Sequence, residues 1–292
     1  MAFLRSWILA ARPATLWAAV APVLVGSALA AHDGVFDWLI FATILFAALA
    51  IQVGVNFAND LADAERGADG AERIGPTRAV ATGLVSPTQM KLGIAIAFGL
   101  ATLAGVYLIS VGGWVVLAIG VVSIIAALGY TNGPVPYGYR GMGELFVFIF
   151  FGLAATAGTR YVYDRSAPAD AWVSGIVMGL LAAAILEANN IRDIESDRAA
   201  GKRTLAVILG RTGARRLFSA TLIGTFIVLG AGIVVGTLPA AMSLAFLAAP
   251  FVVPLIRTTL TRTSGPPLIG VLKGTARLQL AVAVGMSLGA LV

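Results

Sequence analysis

Two short acidic segments in this chain combine residue types and spacings that suit a divalent-cation site. The first reads Asn56-Phe-Ala-Asn59-Asp60-Leu-Ala-Asp63-Ala-Glu65-Arg66-Gly67-Ala-Asp69, and the second Asn189-Asn190-Ile-Arg192-Asp193-Ile-Glu195-Ser-Asp197-Arg198. On a continuous helix Asn56, Asp60 and Asp63 stand at i, i+4 and i+7, and Asn189, Asp193 and Asp197 at i, i+4 and i+8. Each trio therefore shares one face. The pattern Asn-x-x-x-Asp occurs twice, 133 positions apart. Mg²⁺ prefers oxygen ligands, dehydrates reluctantly, and is commonly held by a few carboxylates plus substrate phosphates. Two such clusters brought together would hold two ions, neutralise a diphosphate and stabilise it as a leaving group. Arginines and lysines between them would add charge stabilisation. A single acidic segment at a helix end is more simply a solvated terminus with local ion pairs. The duplication, with asparagine one turn ahead of aspartate each time, favours a site.

The elements that must position these residues are membrane spans. Of 292 residues, 59% are hydrophobic and 12% charged, with a mean hydropathy of +0.93. A soluble domain carries about a quarter charged residues, so this chain has too little polar surface to cover a water-exposed globule. Apolar blocks run over Leu16–Ala31, Trp38–Ala58, Leu92–Val111, Trp114–Leu128, Leu145–Gly158, Trp172–Ala188, Leu217–Gly236, Ala240–Ile256 and Leu278–Val292. A spanning helix needs about 20 mostly apolar residues, which predicts an all-α integral membrane protein of about nine helices in a lipid bilayer. Gly112-Gly113 and Thr237-Leu238-Pro239 mark two tight helical hairpins. The segment from Arg5 to Ala31 superficially resembles a signal peptide. Its apolar part begins only after Arg12-Pro13, and it reads as an uncleaved first span.

In the nine-span arrangement 18 of the 20 Lys and Arg fall on one side, leaving Arg160 and Arg165 opposite with Asp33, Asp37, Asp164 and Asp170. The positive-inside rule puts the N-terminus and the long loops in the cytoplasm. The acidic segments close spans two and six, each after an even number of crossings, so both belong at that face. The net charge of +6 then reflects basic cytoplasmic loops and gives no reason to invoke nucleic acid. Cysteine is absent, which excludes disulfides and thiolate nucleophiles, and the single His32 reads as an ordinary loop residue beside Asp33.

The order of motifs resembles the UbiA superfamily of intramembrane prenyltransferases, most closely its 1,4-dihydroxy-2-naphthoate polyprenyltransferase branch. The resemblance is carried by Arg12-Pro13-Ala-Thr15-Leu at the first span, by Gly54-Val-Asn56-Phe-Ala-Asn59-Asp60-Leu-Ala-Asp63, and by Arg73-Ile-Gly75-Pro76-Thr-Arg78. It continues through Gly129-Tyr130-Thr131, Pro136-Tyr137-Gly138-Tyr139, and the run from Asn189 to Lys202-Arg203-Thr204-Leu205. It implies one polytopic domain over residues 1–292, with helices 1–4 and 5–8 as a pseudo-repeat plus helix 9. The bundle would enclose a central cavity open laterally to lipid.

The resemblance further implies that Asn56, Asp60 and Asp63 meet Asp193 and Asp197 across Mg²⁺ and a polyprenyl diphosphate. The superfamily's first motif often carries acids four apart, whereas here Ala64 stands at that position and Asp63 precedes it. Which of Asp63, Glu65 and Asp69 ligates metal stays open. Asn59, Asn189, Asn190, Arg12, Arg78 and Lys202 are candidate substrate contacts, with Lys91, Arg73 and Arg203 as further cations. Tyr130 and Asn132 suit a carbocation, through an aromatic face and an amide. Tyr137 and Tyr139 fit core packing or an interfacial belt at least as well. Glu187, deeper in span six, is a candidate partner for an asparagine or for the acceptor. The implied reaction joins the prenyl carbocation to 1,4-dihydroxy-2-naphthoate with loss of its carboxylate, giving a demethylmenaquinone in a bacterial cell membrane. Hydroxybenzoate, homogentisate and haem are alternative acceptors. Of other classes, a CDP-alcohol phosphotransferase would need a compact Asp-Gly-x-x-Ala-Arg motif that this chain lacks. A secondary transporter would place its polar sites at helices broken in mid-membrane.

Overall fold

A computed structural model describes residues 2–65, 78–131, 136–263 and 266–292. The described residues form helices and connecting turns, with no strand among them. Among the described residues eight helices are long and apolar enough to cross a bilayer, and Trp114–Tyr130 is a shorter apolar helix that coincides with the remaining expected span. In chain order the elements are α1 (Ala2–Ala11), α2 (Pro13–His32), α3 (Trp38–Glu65), α4 (Pro87–Gly112) and α5 (Trp114–Thr131). There follow α6 (Gly143–Asp164), α7 (Ala169–Arg192), the short α8 (Ile194–Ala199), α9 (Leu205–Val234), α10 (Ala240–Thr261) and α11 (Pro266–Ala290).

Both expected hairpins are present. Gly113, at φ +74°, takes the left-handed turn between α4 and α5 that a side chain would strain. A turn over 235–239 joins α9 to α10. Three features depart from the apolar-block reading. Helix α1 precedes the first span and is amphipathic, with Ala10 buried and Leu4, Ile8 and Leu9 exposed. Helix α9 begins twelve residues earlier than its apolar block, because Arg211, Arg215 and Arg216 sit on a helix that a hydropathy criterion reads as loop. It kinks at Gly210, whose φ is +67°. His32 is the last residue of α2 rather than a loop residue, and its Nδ1 lies 2.8 Å from the Ala290 carbonyl of α11.

The two halves of the bundle differ in packing. Helices α2, α7, α9, α10 and α11 share a continuous core that includes Leu29, Met178, Leu181, Phe218, Leu222, Leu229, Met242 and Met286, all fully buried. Helices α3 to α6 close against α2 and α7 around a cavity of about 500 Å³. Among the described residues its walls come mostly from α2 through α7, joined by Asp197 of α8, by Lys202 and Thr204, and by Leu272 of α11. Helix α6 adopts π-helical geometry over Phe148–Ala154, directly on this wall. Here α6 approaches α7 so closely that a methyl on Gly152 would strike Gly179, as expected where small residues let spans touch. The end opposite the acidic segments is pinned by Arg160. Its guanidinium is 2.6 Å from Asp33 of the α2–α3 turn and 2.6 Å from Asp164 at the end of α6.

Candidate active site

The fold carries each acidic segment to the mouth of the cavity by extending or ending a span. Helix α3 runs beyond its apolar stretch to Glu65, presenting Asn56, Asn59 and Asp63 to the cavity from one face. Helix α7 ends at Arg192. Asp193 turns out of the helix with φ −97° and ψ 8°, and α8 then carries Asp197. Asn189, Asn190, Asp193 and Asp197 all line the same cavity as Asp63.

Lys202 joins the two segments. It follows α8 in sequence, yet its Nζ donates to Asp63 Oδ1 at 2.8 Å. Asp63 also accepts from Arg78 Nη2 at 2.5 Å and from the Tyr139 hydroxyl at 2.7 Å. Three donors, two of them cationic, converge on one nearly buried carboxylate. The Lys202 ammonium lies 4.6 Å from the centre of the Tyr139 ring, a cation–π distance. Burial on its own would push Lys202 down, but the adjacent Asp63 outweighs it, and the proton affinity is raised above that of an ordinary lysine. Lys202 therefore stays charged at neutral pH.

Across the mouth, Arg192 grips Asp193 with a two-pronged guanidinium, Nε at 2.7 Å from Oδ1 and Nη2 at 2.5 Å from Oδ2. The same Nη2 donates to Asn189 Oδ1 at 2.9 Å. Among the described residues no three acidic or histidine side chains form a ready-made cage. Asp63, Asp193 and Asp197 instead line one cavity, with Arg78 and Lys202 on Asp63 and Arg192 on Asp193.

Asn56 and Asp60 have architectural contacts. The Asn56 amide donates to the Ala11 carbonyl at 2.8 Å and to Thr15 Oγ1 at 3.1 Å, bracketing Arg12 at the α1–α2 junction. Arg12 adopts φ +51°, a region non-glycine residues seldom occupy, and it lines the cavity. Asp60 does not reach the cavity. Its oxygens accept from the Ala79 and Val80 amides at 3.1 and 3.0 Å, anchoring the turn that delivers Arg78 to Asp63. Removing a partner from a buried backbone donor costs about 1–3 kcal/mol. Asp60→Ala is accordingly expected to lower the thermal midpoint of the detergent-solubilised protein by several degrees. A midpoint equal to that of the parent protein would show that the turn does not depend on Asp60.

Other expected residues divide cleanly. Tyr130 lines the cavity and packs edge-on against Tyr137, centroids 5.4 Å apart. Tyr137 and Tyr139 both line the cavity; Tyr137 also packs as expected, stacking on Phe146 with centroids 3.9 Å apart and donating to the Ala126 carbonyl at 2.6 Å. Glu65 and Lys91 pair with each other at 3.3 Å, both half-exposed or more and away from the cavity. Arg203 gives its backbone amide to the Tyr139 carbonyl but does not line the cavity. Glu187 pairs with Thr221 of α9 at 2.9 Å, not with an asparagine, because its side chain points away from the cavity into the packed half. Asn132, Asp69, Arg66 and Arg73 lie outside the described residues. Sequence reasoning missed Glu144, a buried acid in the first turn of α6 that accepts from Asn190 Nδ2 at 2.8 Å. Its signal was available as an ionisable residue at the start of an apolar block.

The model of the UbiA prenyltransferase family matches residues 19–267. The 1,4-dihydroxy-2-naphthoate octaprenyltransferase of Mycobacterium leprae is 37% identical over 289 residues, covering 98% of this chain and 96% of that protein. The enzyme of the same name from Escherichia coli K12 is 39% identical over 233 residues, 77% of this chain and 75% of its own. Among solved structures, a UbiA homolog from Archaeoglobus fulgidus bound to GPP and Mg²⁺ superposes with a TM-score of 0.67. It is 13% identical and covers 98% of this chain and 99% of that one.

Proposed function

The chain belongs to the UbiA prenyltransferase family, and on that premise we propose that it transfers a polyprenyl group from its diphosphate to 1,4-dihydroxy-2-naphthoate. The names of its relatives support the acceptor. The observation that carries the reading is the 2.8 Å contact from Lys202 to Asp63, which draws both acidic segments to the polar mouth of a deep apolar cavity.

The residues act by position and charge. Arg12, Arg78 and Lys202 offer cationic donors to a diphosphate at the mouth, where water is scarce and each donor counts for more. Apolar side chains of α3 to α6, among them Ile51, Leu108, Val116, Ile124 and Phe150, accept the hydrocarbon tail. Tyr130 and Phe146 present aromatic rings that stabilise a cation on the departing allyl carbon. As the allylic C–O bond breaks, the electron pair leaves with the diphosphate. The aromatic ring supplies the pair for the new C–C bond and recovers its aromaticity by releasing the carboxylate as CO₂.

The donor set fits Mg²⁺. A carboxylate has about four acceptor positions, of which Asp63 uses three and Asp193 two. Oxygens therefore remain available on both carboxylates, which suits an ion that also takes phosphate oxygens. Asp63, Asp193 and Asp197, with Asn59 beside them, would hold it. Mg²⁺ bound there would neutralise the diphosphate and make it a better leaving group. The Archaeoglobus homolog bound to GPP and Mg²⁺ supports that assignment. The excess of Lys and Arg on the same side supports a cytoplasmic mouth.

Purified protein incubated with a polyprenyl diphosphate, Mg²⁺ and a panel of aromatic acids should yield a prenylated, decarboxylated naphthoquinol identified by mass. EDTA should suppress it and added Mg²⁺ restore it. Undiminished product in EDTA, or no product from any aromatic acid, would sink the proposal.

A further inference from the structure

Asn189 and Asn190 are adjacent, both line the cavity, and each is held by a partner of opposite charge. An amide offers oxygen on one side and N–H on the other, so a partner that can only donate or only accept dictates which end faces it. Arg192 has only donors and engages the oxygen of Asn189 at 2.9 Å. Glu144, 7% exposed, takes one of the amide hydrogens of Asn190 at 2.8 Å. The carboxyl oxygen accepts that hydrogen, so the Asn190 nitrogen is turned toward Glu144 and its carbonyl oxygen away from it.

We propose that Asn189 presents N–H donors to the anionic substrate, whereas Asn190 presents its carbonyl oxygen to a hydroxyl of the aromatic acceptor, with Glu144 as the positioning residue. This rests on the prenyl-transfer reading above and assigns the residue that reads a hydroxyl of its second substrate. Three features support the placement. Asn190 sits on the cavity side of α7, with Tyr130 also on the wall. Gly143, next to Glu144, lies against the Tyr130 ring: a methyl there would stand 3.4 Å from the Tyr130 oxygen and 3.5 Å from its ring. The ring, the amide and the buried acid thus converge on one stretch of wall. A buried carboxylate paired with an amide rather than a cation is also costly to keep, and orienting that amide gives it a use. A hydroxyl donating to Asn190 would become more electron-rich and so favour attack by the ring on the allyl cation.

The test compares a hydroxyl-bearing acceptor with its O-methyl ether, measuring KM for each substrate separately. A site built to pair with a substrate hydroxyl strongly rejects an analogue lacking it. The parent protein should prefer the free hydroxyl, and Asn190→Ala should shrink that preference and raise acceptor KM, each about tenfold. The prenyl diphosphate KM should move by less than about twofold, on the scale of a contact not made. Glu144→Gln should shift the same ratio in the same direction, because glutamine pairs with either amide orientation. Glu144→Gln added to Asn190→Ala should then change the ratio no further. If Glu144→Gln does not fold, Asn190→Ala decides alone. An unchanged hydroxyl-to-ether ratio in Asn190→Ala, or a change confined to the diphosphate KM, overturns this inference while leaving prenyl transfer intact. Absence of turnover in the parent protein with every acceptor tells instead against the prenyl-transfer reading.

Discussion

Asp63→Asn is expected to reduce turnover by about 10³-fold or more, a scale typical of losing a preorganised electrostatic contact at the reacting centre. The substitution keeps shape and one oxygen but removes the charge on which Arg78, Lys202 and the Tyr139 hydroxyl converge. Two consequences follow together. The cations lose the anchor that holds them at the mouth, and the carboxylate proposed to take Mg²⁺ is gone. Removing one member of a buried ion pair costs about 3–5 kcal/mol, so the thermal midpoint should fall as well. The decisive readout is therefore the rate per folded molecule, measured below the variant's midpoint. Glu65→Gln, two residues away, half-exposed and paired among the described residues only with Lys91, serves as the control and should stay near parental activity. Equal activity in Asp63→Asn and the parent protein would remove Asp63 from the site. A loss in Glu65→Gln as large as that in Asp63→Asn would show that charge in this segment matters and not this contact network.

The second large effect lies at the other end of the molecule and should appear in stability alone. Arg160 is 3% exposed and pairs with Asp33 and Asp164, each about one-third exposed. It links the α2–α3 turn to the end of α6. Replacing it with leucine leaves two carboxylates without their counter-charge, but both remain partly hydrated, so the expected cost falls toward the lower end of the buried-pair range, about 3 kcal/mol. Neutralising both partners, as in Arg160→Leu with Asp33→Asn and Asp164→Asn, should recover part of the loss, because it removes the stranded charges. Thermal unfolding in detergent measures both. Neither variant should alter KM for either substrate, since the cluster is at the end opposite the mouth. An unshifted midpoint in Arg160→Leu would mean that this network is solvated decoration.

Local pattern was a good guide wherever one signal dominated. Each of the nine apolar blocks falls on a helix, eight of them long and apolar enough to span and the one over Trp114–Tyr130 shorter, and Gly112-Gly113 and Thr237-Leu238-Pro239 became the expected turns. Hydropathy failed where a helix is amphipathic. It passed over α1 and the first turns of α9, whose arginines lie on helices rather than in loops. Spacing brought out the right acidic segments but assigned equal roles to residues one turn apart. Asp60 and Asp63 share a face at i and i+3, yet one holds a turn and the other faces the cavity. That difference depends on what packs against each turn of α3, which no helical period records.

Membrane residence and the placement of both acidic segments at one end of the bundle were determined by the sequence alone, because burial in lipid demands long apolar runs and the parity of the intervening runs sets which end a segment reaches. Tertiary structure decided which polar groups face the cavity. Lys202 reaches Asp63 across 139 positions, Asn190 meets Glu144 across 46, and Arg160 finds Asp33 across 127. Such pairings arise from helix packing and from the direction in which each chain segment leaves its span. Hydrogen bonds and ion pairs act over a few ångströms, so the partner of a charged residue is whatever the fold brings within that range.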